Sequence, residues 1–246
     1  MGVHAGISIE ISVETAAGVR IAERAGADRI ELCAGLADGG LTPSAALIEQ
    51  AVAATSSTEV HVLIRPRPGD FRYSADEIAV IRRDIALARQ LGADGVVVGA
   101  LSSTGDLAAV PFVDAAEGIQ ITLHRAIDVS ADSLVALDEA IALGFTRVLT
   151  SGRRRSVLDG APLIKEMVQR ADGRIQVMAC GGVRASNALH VVESTGVRDL
   201  HAAVRTPVGE LGSGDVSFAG VGVPDGFDRF ETDADGVAAL CSIIRG

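Results

Sequence analysis

Apolar residues along this chain fall into short β-branched runs that alternate with longer amphipathic stretches. Four stretches repeat one plan, in which an amphipathic helix ends, a glycine follows, and a short apolar run begins: AERAGADRIEL (22–32), ARQLGADGVVVG (88–99), AIALGFTRVLTSG (140–152) and VVESTGVRDLHAA (191–203). Glycine suits the helix-ending position because it adopts the left-handed backbone at little cost. The pattern therefore predicts four helix–strand junctions.

Four further runs lie between these copies and are predicted as strands: ISIEIS (7–12), TEVHVLIR (58–65), IQITLHR (119–125) and RIQVMAC (174–180). Strands separated by helices pair in parallel, because hairpins cannot connect them. Eight such units in about 250 residues are typical of a (β/α)8 TIM barrel. We predict one TIM-barrel domain over residues 1–246. An open doubly wound sheet is the alternative, but no GxGxxG follows the first strand.

Three connecting segments complete the predicted architecture. Residues 206–232 are rich in glycine and lack periodicity, which indicates a long loop, and ADGVAALCSIIR (234–245) is predicted to close the barrel as a helix. GGLTPS (39–44) is expected to fold over the barrel rim as a lid. Within it, Thr42 is the predicted N-cap of the helix AALIEQAV.

Polar side chains share one parity on five of the predicted strands, whereas the other parity is aliphatic. Because alternate strand residues face the barrel interior, the polar set is expected to converge inside it. A single buried histidine is most often a core residue with a hydrogen-bond partner, but several buried ionisable groups favour a functional cavity. The predicted acid–base residues are Glu10, Glu31, His61, His124 and His201.

A second set of residues indicates a site for an anion. Arg65 and Arg125 lie where strands end, and guanidinium groups bind phosphate and carboxylate well. The turns Thr150-Ser151-Gly152 and Gly181-Gly182 follow the sixth and seventh strands, where barrel loops often hold anions. These residues are the predicted substrate-binding set. Plain turn chemistry is the alternative for both turns.

Composition narrows the classes of function. The formal net charge is −10 and aromatic residues make up 3%, which argues against nucleic-acid binding and against anionic membranes. No segment has the length and apolarity of a signal peptide or membrane span, so we expect a cytoplasmic protein with reduced thiols. Lys165 is the only lysine and lies in a helical stretch, which disfavours Schiff-base chemistry.

Five motifs, in this order, resemble the CutC family, named for copper homeostasis: ELCAGLADGGLTPS, HVLIRPRPGDFRYS, TLHRAID, RVLTSG and GGVRASN. The resemblance extends over roughly residues 7 to 220, and it implies a TIM barrel, a cytoplasmic location and Cu(I) binding. Cys33 matches the family's cysteine after the second strand. Relatives often carry another cysteine near the end of the first strand, where this chain has Ser12.

Two hypotheses of function follow. The first is a copper-binding protein with Cys33 as the metal ligand, assisted by a histidine or by Cys180. The second is an enzyme that uses the inward acid–base groups, or a divalent metal, on a small anionic metabolite. A structural module without a small-molecule site is a weaker third. Homo-oligomer formation is left open by the sequence.

Overall fold

The fold is a closed barrel of eight parallel strands, seen in a computed structural model that describes residues 6–208 and 230–246. Each strand pairs with the next along the chain, and the eighth pairs with the first. The strands are β1 Ser8–Val13, β2 Arg29–Leu32, β3 Glu59–Leu63, β4 Gly95–Val98, β5 Gln120–Leu123, β6 Arg147–Thr150, β7 Gln176–Ala179 and β8 Asp199–Ala202. The predicted (β/α)8 barrel is confirmed. Its assignment as one domain over 1–246 stays a prediction.

Helices connect the strands around the outside of the barrel. They are α1 Ala16–Ala25, α2 Ala45–Ala54, α3 Ala75–Gln90, α4 Val110–Ala115, α5 Ser133–Ala142, α6 Ala161–Ala171, α7 Ala188–Thr195 and α8 Ala234–Arg245. Two 3-10 helices, Leu36–Asp38 and Arg125–Val129, follow β2 and β5. The closing helix α8 is confirmed and packs against α1 and α7. Within the described residues, no helix is long and apolar enough to cross a membrane.

Helix ends follow the local chemistry of the sequence, with one correction. Gly26 and Gly196 end α1 and α7 in the left-handed conformation, as the recurring pattern predicts. The predicted N-cap Thr42 is wrong, because Ser44 accepts the amide hydrogen of Leu47 and starts α2. The hydroxyl of Thr42 instead accepts the backbone N–H of Arg65, which joins the loop after β2 to the end of β3.

The segment 206–232 also differs from the sequence prediction at both ends. Two short strands, β9 Arg205–Pro207 and β10 Phe230–Thr232, pair in antiparallel fashion there. The prediction of a loop throughout is therefore wrong for these residues. The rest of the predicted loop, residues 209–229, lies outside the described residues.

Alternate residues of the strands form two separate buried sets, one facing the helices and one facing the barrel interior. Outward aliphatic side chains such as Ile9, Ile30 and Val62 are buried against the helices in one continuous cluster. The inward side chains are largely polar and just as buried: Glu10, Ser12, Arg29, Glu31, His61, Thr122, Arg147 and Asp199. The predicted inward orientation of the polar parity agrees with this burial.

Two guanidinium groups and two carboxylates form an ion network inside the lower part of the barrel. Nε of Arg29 lies 2.6 Å from Oε2 of Glu10, and its Nη2 lies 2.8 Å from Oδ1 of Asp199. Nε of Arg147 lies 2.6 Å from the other oxygen of Asp199. The formal charges cancel within the network, and this pairing offsets the cost of burying each charge. We call these four residues the ion network.

We expect Arg29→Met to lower the free energy of unfolding by about 3–5 kcal/mol, because it removes the guanidinium that bridges two buried carboxylates and leaves a net negative charge in the interior. Urea unfolding of the purified protein measures the change. Arg170→Met is the matched control, since Arg170 makes an equally short pair with Asp138 on the exposed surface, where water screens the charges and the loss should be small. Equal effects of the two substitutions would contradict a structural role for the ion network.

Candidate functional site

Three predicted acid–base residues meet above the ion network. Nδ1 of His201 lies 2.7 Å from Oε1 of Glu10, and its Nε2 lies 3.9 Å from Oε2 of Glu31. The parallel register explains the meeting, because Glu10 pairs with His201 on β8 while Ser12, two residues on, pairs with Glu31 on β2. The imidazole therefore lies between two carboxylates at the carboxyl half of the barrel. We call Glu10, His201 and Glu31 the acid–base triad.

The surroundings of the triad lower the pKa of one of its residues and raise the pKa values of the other two. Burial by itself raises the pKa of Glu10, but Arg29 and the hydrogen bond from His201 outweigh burial and hold that pKa well below its ordinary value. Burial lowers the pKa of His201, but the hydrogen bond to Glu10 and the charge of Glu31 outweigh it and raise that pKa. Burial, with the charge of Glu10, raises the pKa of Glu31. Glu10 is thus held as the anion, whereas the pKa values of His201 and Glu31 are both raised.

Cys33 lies beside the triad as a thiol. Its side chain is fully buried, and the sulfur lies 3.4 Å from Oε2 of Glu31, to which the S–H group donates. Burial and the neighbouring carboxylate raise the pKa of Cys33 well above its ordinary value. The geometry therefore makes Cys33 a hydrogen-bond donor to Glu31.

The other two predicted histidines lie against glycines of β4 and its end. His61 pairs with Gly95 across the sheet, and a Cβ atom at Gly95 would lie 2.5 Å from its ring. His61 is fully buried, with Nε2 at 3.4 Å from Oε2 of Glu59. His124 occupies the corresponding space against Gly99. Each of these histidines therefore has a glycine beside it, because a larger side chain at Gly95 or Gly99 would clash with the imidazole.

Arg65 holds loops together. Its Nη1 donates to the carbonyl oxygens of Asp38 and Gly40, and its Nη2 donates to that of Gly69. The guanidinium also lies 5.2 Å from the ring centroid of Phe71. These contacts connect the loop after β2 with the loop after β3. Both terminal nitrogens of the Arg65 guanidinium therefore already donate to backbone carbonyl oxygens. Its predicted contact with a ligand stays a prediction.

The turn after β6 surrounds a buried carboxylate that sequence analysis did not identify. Asp128 accepts hydrogen bonds from the hydroxyl of Thr150, the hydroxyl and amide of Ser151, the amide of Arg153 and Nε of Arg125. Gly152 donates its amide to the hydroxyl of Thr150. Thr150, Ser151 and Gly152 thus form a cradle around a carboxylate of this chain, and their role toward a ligand stays a prediction.

Arg125 reaches out of this cradle toward the barrel mouth. Nη2 donates to the hydroxyl of Ser151 at 2.6 Å, and the side chain is about half exposed at 48%. After β7, Gly181 and Gly182 both have positive φ, and no described residue accepts a hydrogen bond from their amide groups. Both features leave donors available for an anion.

The two sides of the mouth influence the same thiol. Burial raises the pKa of Cys180; the charge of Arg125 lowers it, and the charges of Asp128 and Glu31 raise it. Cys180 directly follows β7, between the cradle after β6 and the acid–base triad on β8, β1 and β2. The positive Arg125 side and the carboxylate side therefore border one mouth.

The structure thus brings together Glu10, Glu31, His201 and Cys33, and places Arg125 with Thr150, Ser151 and Gly152. The sequence reasoning missed Arg29, Arg147 and Asp128. Arg29 shares the inward parity of Glu31, and this signal could have found it. Asp128 lies in a 3-10 helix, where strand parity gives no signal.

A buried set of carboxylates and imidazoles near the carboxyl ends of the strands defines a (β/α)8-barrel protein with a candidate small-molecule site. The CutC family model matches residues 7–206. A CutC family protein of Pasteurella multocida is 45% identical over 198 residues, which are 79% of this chain and 81% of the relative. The chain belongs to the CutC family.

Two further comparisons agree with this assignment. The copper homeostasis protein cutC homolog of Homo sapiens is 42% identical over 208 residues, covering 83% of this chain and 76% of the human protein. A crystal structure described as a copper homeostasis protein CutC from Streptococcus agalactiae superposes with a TM-score of 0.75. It is 33% identical and covers 79% of this chain and 97% of that chain.

We expect the pKa of His201 to lie above its ordinary value of about 6.5 and to fall in Glu31→Gln, because the substitution removes a neighbouring negative charge. The raised value means that His201 stabilises the fold below pH about 6.5, and that this contribution is lost as pH rises through the folded-state pKa. Titration of the ring protons by NMR measures the pKa.

Glu49→Gln makes the same chemical change at an exposed position of α2 and is the matched control. It should leave the His201 titration where it is in the parent protein. A His201 pKa below the ordinary value, or one that Glu31→Gln does not lower, would contradict the assignment of the triad.

Proposed function

We propose that this protein is an enzyme that moves a proton on a small anionic metabolite, with His201 and Glu31 as its acid–base pair. The observation that carries the proposal is the buried alignment of Glu10, His201 and Glu31, with 2.7 Å and 3.9 Å separations. A carboxylate that orients an imidazole toward a second proton-transfer group is a recurrent arrangement in acid–base catalysis.

Each triad residue has a distinct proposed role. Glu10 is held as an anion by Arg29 and receives the Nδ1–H of His201, which fixes the ring so that Nε2 faces Glu31. The pKa values of His201 and Glu31 are both raised, and these two residues are assigned as the pair that gives and takes the proton. The S–H group of Cys33 orients the Glu31 carboxylate.

The substrate anion is proposed to bind on the opposite side of the mouth. Arg125 is supported by Asp128 and Ser151, and its side chain is about half exposed. The amides of Gly181 and Gly182 add neutral donors after β7, a common location of phosphate in this fold. A phosphate or carboxylate bound there would leave the rest of a small substrate near the triad.

A role in copper homeostasis, which the names of relatives state, is the second candidate. Three inward sulfur atoms favour it, namely those of Cys33, Met178 and Cys180, because Cu(I) prefers soft ligands. The donor chemistry fits copper less well. The Cys33 thiol is tied to Glu31 with a raised pKa, and Met178 accepts from Arg29 at 3.3 Å. Within residues 6–208 and 230–246, no group of three His, Cys, Asp or Glu residues is close enough to hold a metal ion.

A cytoplasmic location accompanies both candidates. Cys33, Cys180 and Cys241 are free and buried thiols, which suits a reducing compartment. We propose this location on that ground.

The test of the enzymatic proposal is turnover of a panel of phosphorylated sugars and hydroxy acids, followed by NMR in deuterated water to detect exchange of carbon-bound hydrogen. Glu31→Gln should reduce turnover of any substrate found by about 10²–10⁴-fold, the usual contribution of a general acid or base. Glu49→Gln should have parent activity. Parent activity in Glu31→Gln would overturn the assignment.

The same preparations separate the enzyme from the copper protein. Cys33→Ser keeps a donor to Glu31, whereas Cys33→Ala removes it. The enzymatic proposal predicts lower turnover in Cys33→Ala than in Cys33→Ser, and equal Cu(I) affinity in the parent protein and both variants. Loss of Cu(I) affinity in both variants, measured against a competing chelator, would favour copper binding.

A further inference from the structure

His124 lies immediately after β5 on the inward side of the barrel. Its imidazole is buried at 4% exposure, fills the space left by Gly99, and lies 4.6 Å from the ring of Phe71 at an interplanar angle of 45°. The ring is therefore held in one position by its neighbours on β4 and on the loop after β3.

The backbone fixes where the proton of this imidazole resides. Nδ1 of His124 accepts a hydrogen bond from the amide of Ala126 at 3.1 Å. An amide N–H can bond only to an unprotonated nitrogen, so the single ring proton of neutral His124 is on Nε2. An imidazolium would set two N–H groups against each other. Burial and the nearby charge of Arg65 also lower the pKa of His124 to about 3.

This Nε2–H donor has no acceptor among the residues that the structure describes. Nε2 is buried, and nothing in residues 6–208 and 230–246 forms a hydrogen bond with it. A buried donor without a partner costs free energy, and a ligand that brings an acceptor recovers it. His124 thus offers a preset, neutral N–H group at the same end of the barrel as the acid–base triad.

We propose that His124 Nε2–H binds the carbonyl oxygen of the substrate, so that the substrate is a carbonyl compound bearing an anionic group. Arg125 is the next residue in the chain, so the two ends of a compact substrate would bind to adjacent residues. The inference rests on the proposed function and names its substrate class.

The chemistry of this step follows from the groups. A base of the triad takes the hydrogen from the carbon next to the carbonyl, the C–H electron pair forms a new C=C bond, and the C=O pair moves onto oxygen. The His124 N–H stabilises that oxyanion without transferring its own proton, as neutral imidazoles do in known enolising enzymes. The proton then returns from the triad to carbon or oxygen, and no oxidant or reductant is needed.

The first test uses the protein alone. Long-range ¹H–¹⁵N NMR of labelled protein should show His124 protonated on Nε2 and not on Nδ1, unchanged between pH 6 and pH 9. A proton on Nδ1, or a change to imidazolium within this range, would overturn the proposal whatever the activity of the protein.

The second test uses phosphoglycolohydroxamate, a phosphate-bearing mimic of an enolate. It should shift the His124 Nε2–H resonance downfield and bind at least tenfold more weakly to His124→Phe, which keeps an aromatic ring but has no donor. His124→Gln retains an N–H donor and should recover part of the affinity. Parent affinity in His124→Phe would overturn the proposal.

The two proposals fail separately in turnover assays. Loss of the donor should lower kcat by about 10²–10³-fold, as for other oxyanion donors. Full activity in His124→Phe with loss in Glu31→Gln would remove the role of His124 and leave the proposed function. The reverse result would remove the triad assignment instead.

Discussion

The pairing of Arg29 with Glu10 and Asp199 is the interaction on which the rest of the interior depends. Charged groups fill the lower barrel, where aliphatic side chains are usual. They are tolerated because two guanidinium groups meet two carboxylates within 2.6–2.8 Å. The same contacts fix the charge of Glu10. The ion pairs that stabilise the barrel interior therefore also determine the protonation state of Glu10, which contacts His201.

Above the ion network, the mouth of the barrel has two chemically different sides. Carboxylates, an imidazole and a thiol lie on β8, β1 and β2, whereas Arg125 and its cradle follow β5 and β6. Asp128 holds Arg125 by its Nε and so leaves part of the guanidinium free. His124, whose Nε2 has no hydrogen-bond partner in the described part of the chain, lies beside Arg125. A small molecule with an anion at one end and a reactive carbon at the other matches this division.

Strand parity and barrel topology explain what the sequence could predict. Glu10, Glu31 and His201 stand at alternate strand positions opposite aliphatic residues, so their inward orientation follows from a period of two. Arg29 and Arg147 obey the same parity but sit at strand beginnings, where arginine also suits a solvated junction. Arg65, Asp128 and Thr42 act through loops, whose hydrogen bonds depend on tertiary contacts that no local pattern encodes. The match of Gly95 to His61 likewise requires the register between two strands.

Neutron diffraction from crystals of the protein near neutral pH tests the pairing of Glu10 with His201 directly, because it locates hydrogen atoms. We expect an unprotonated Glu10 carboxylate, with hydrogen on Nδ1 of His201 directed at it. A proton bound to Glu10, or a His201 Nδ1 without hydrogen, would contradict it.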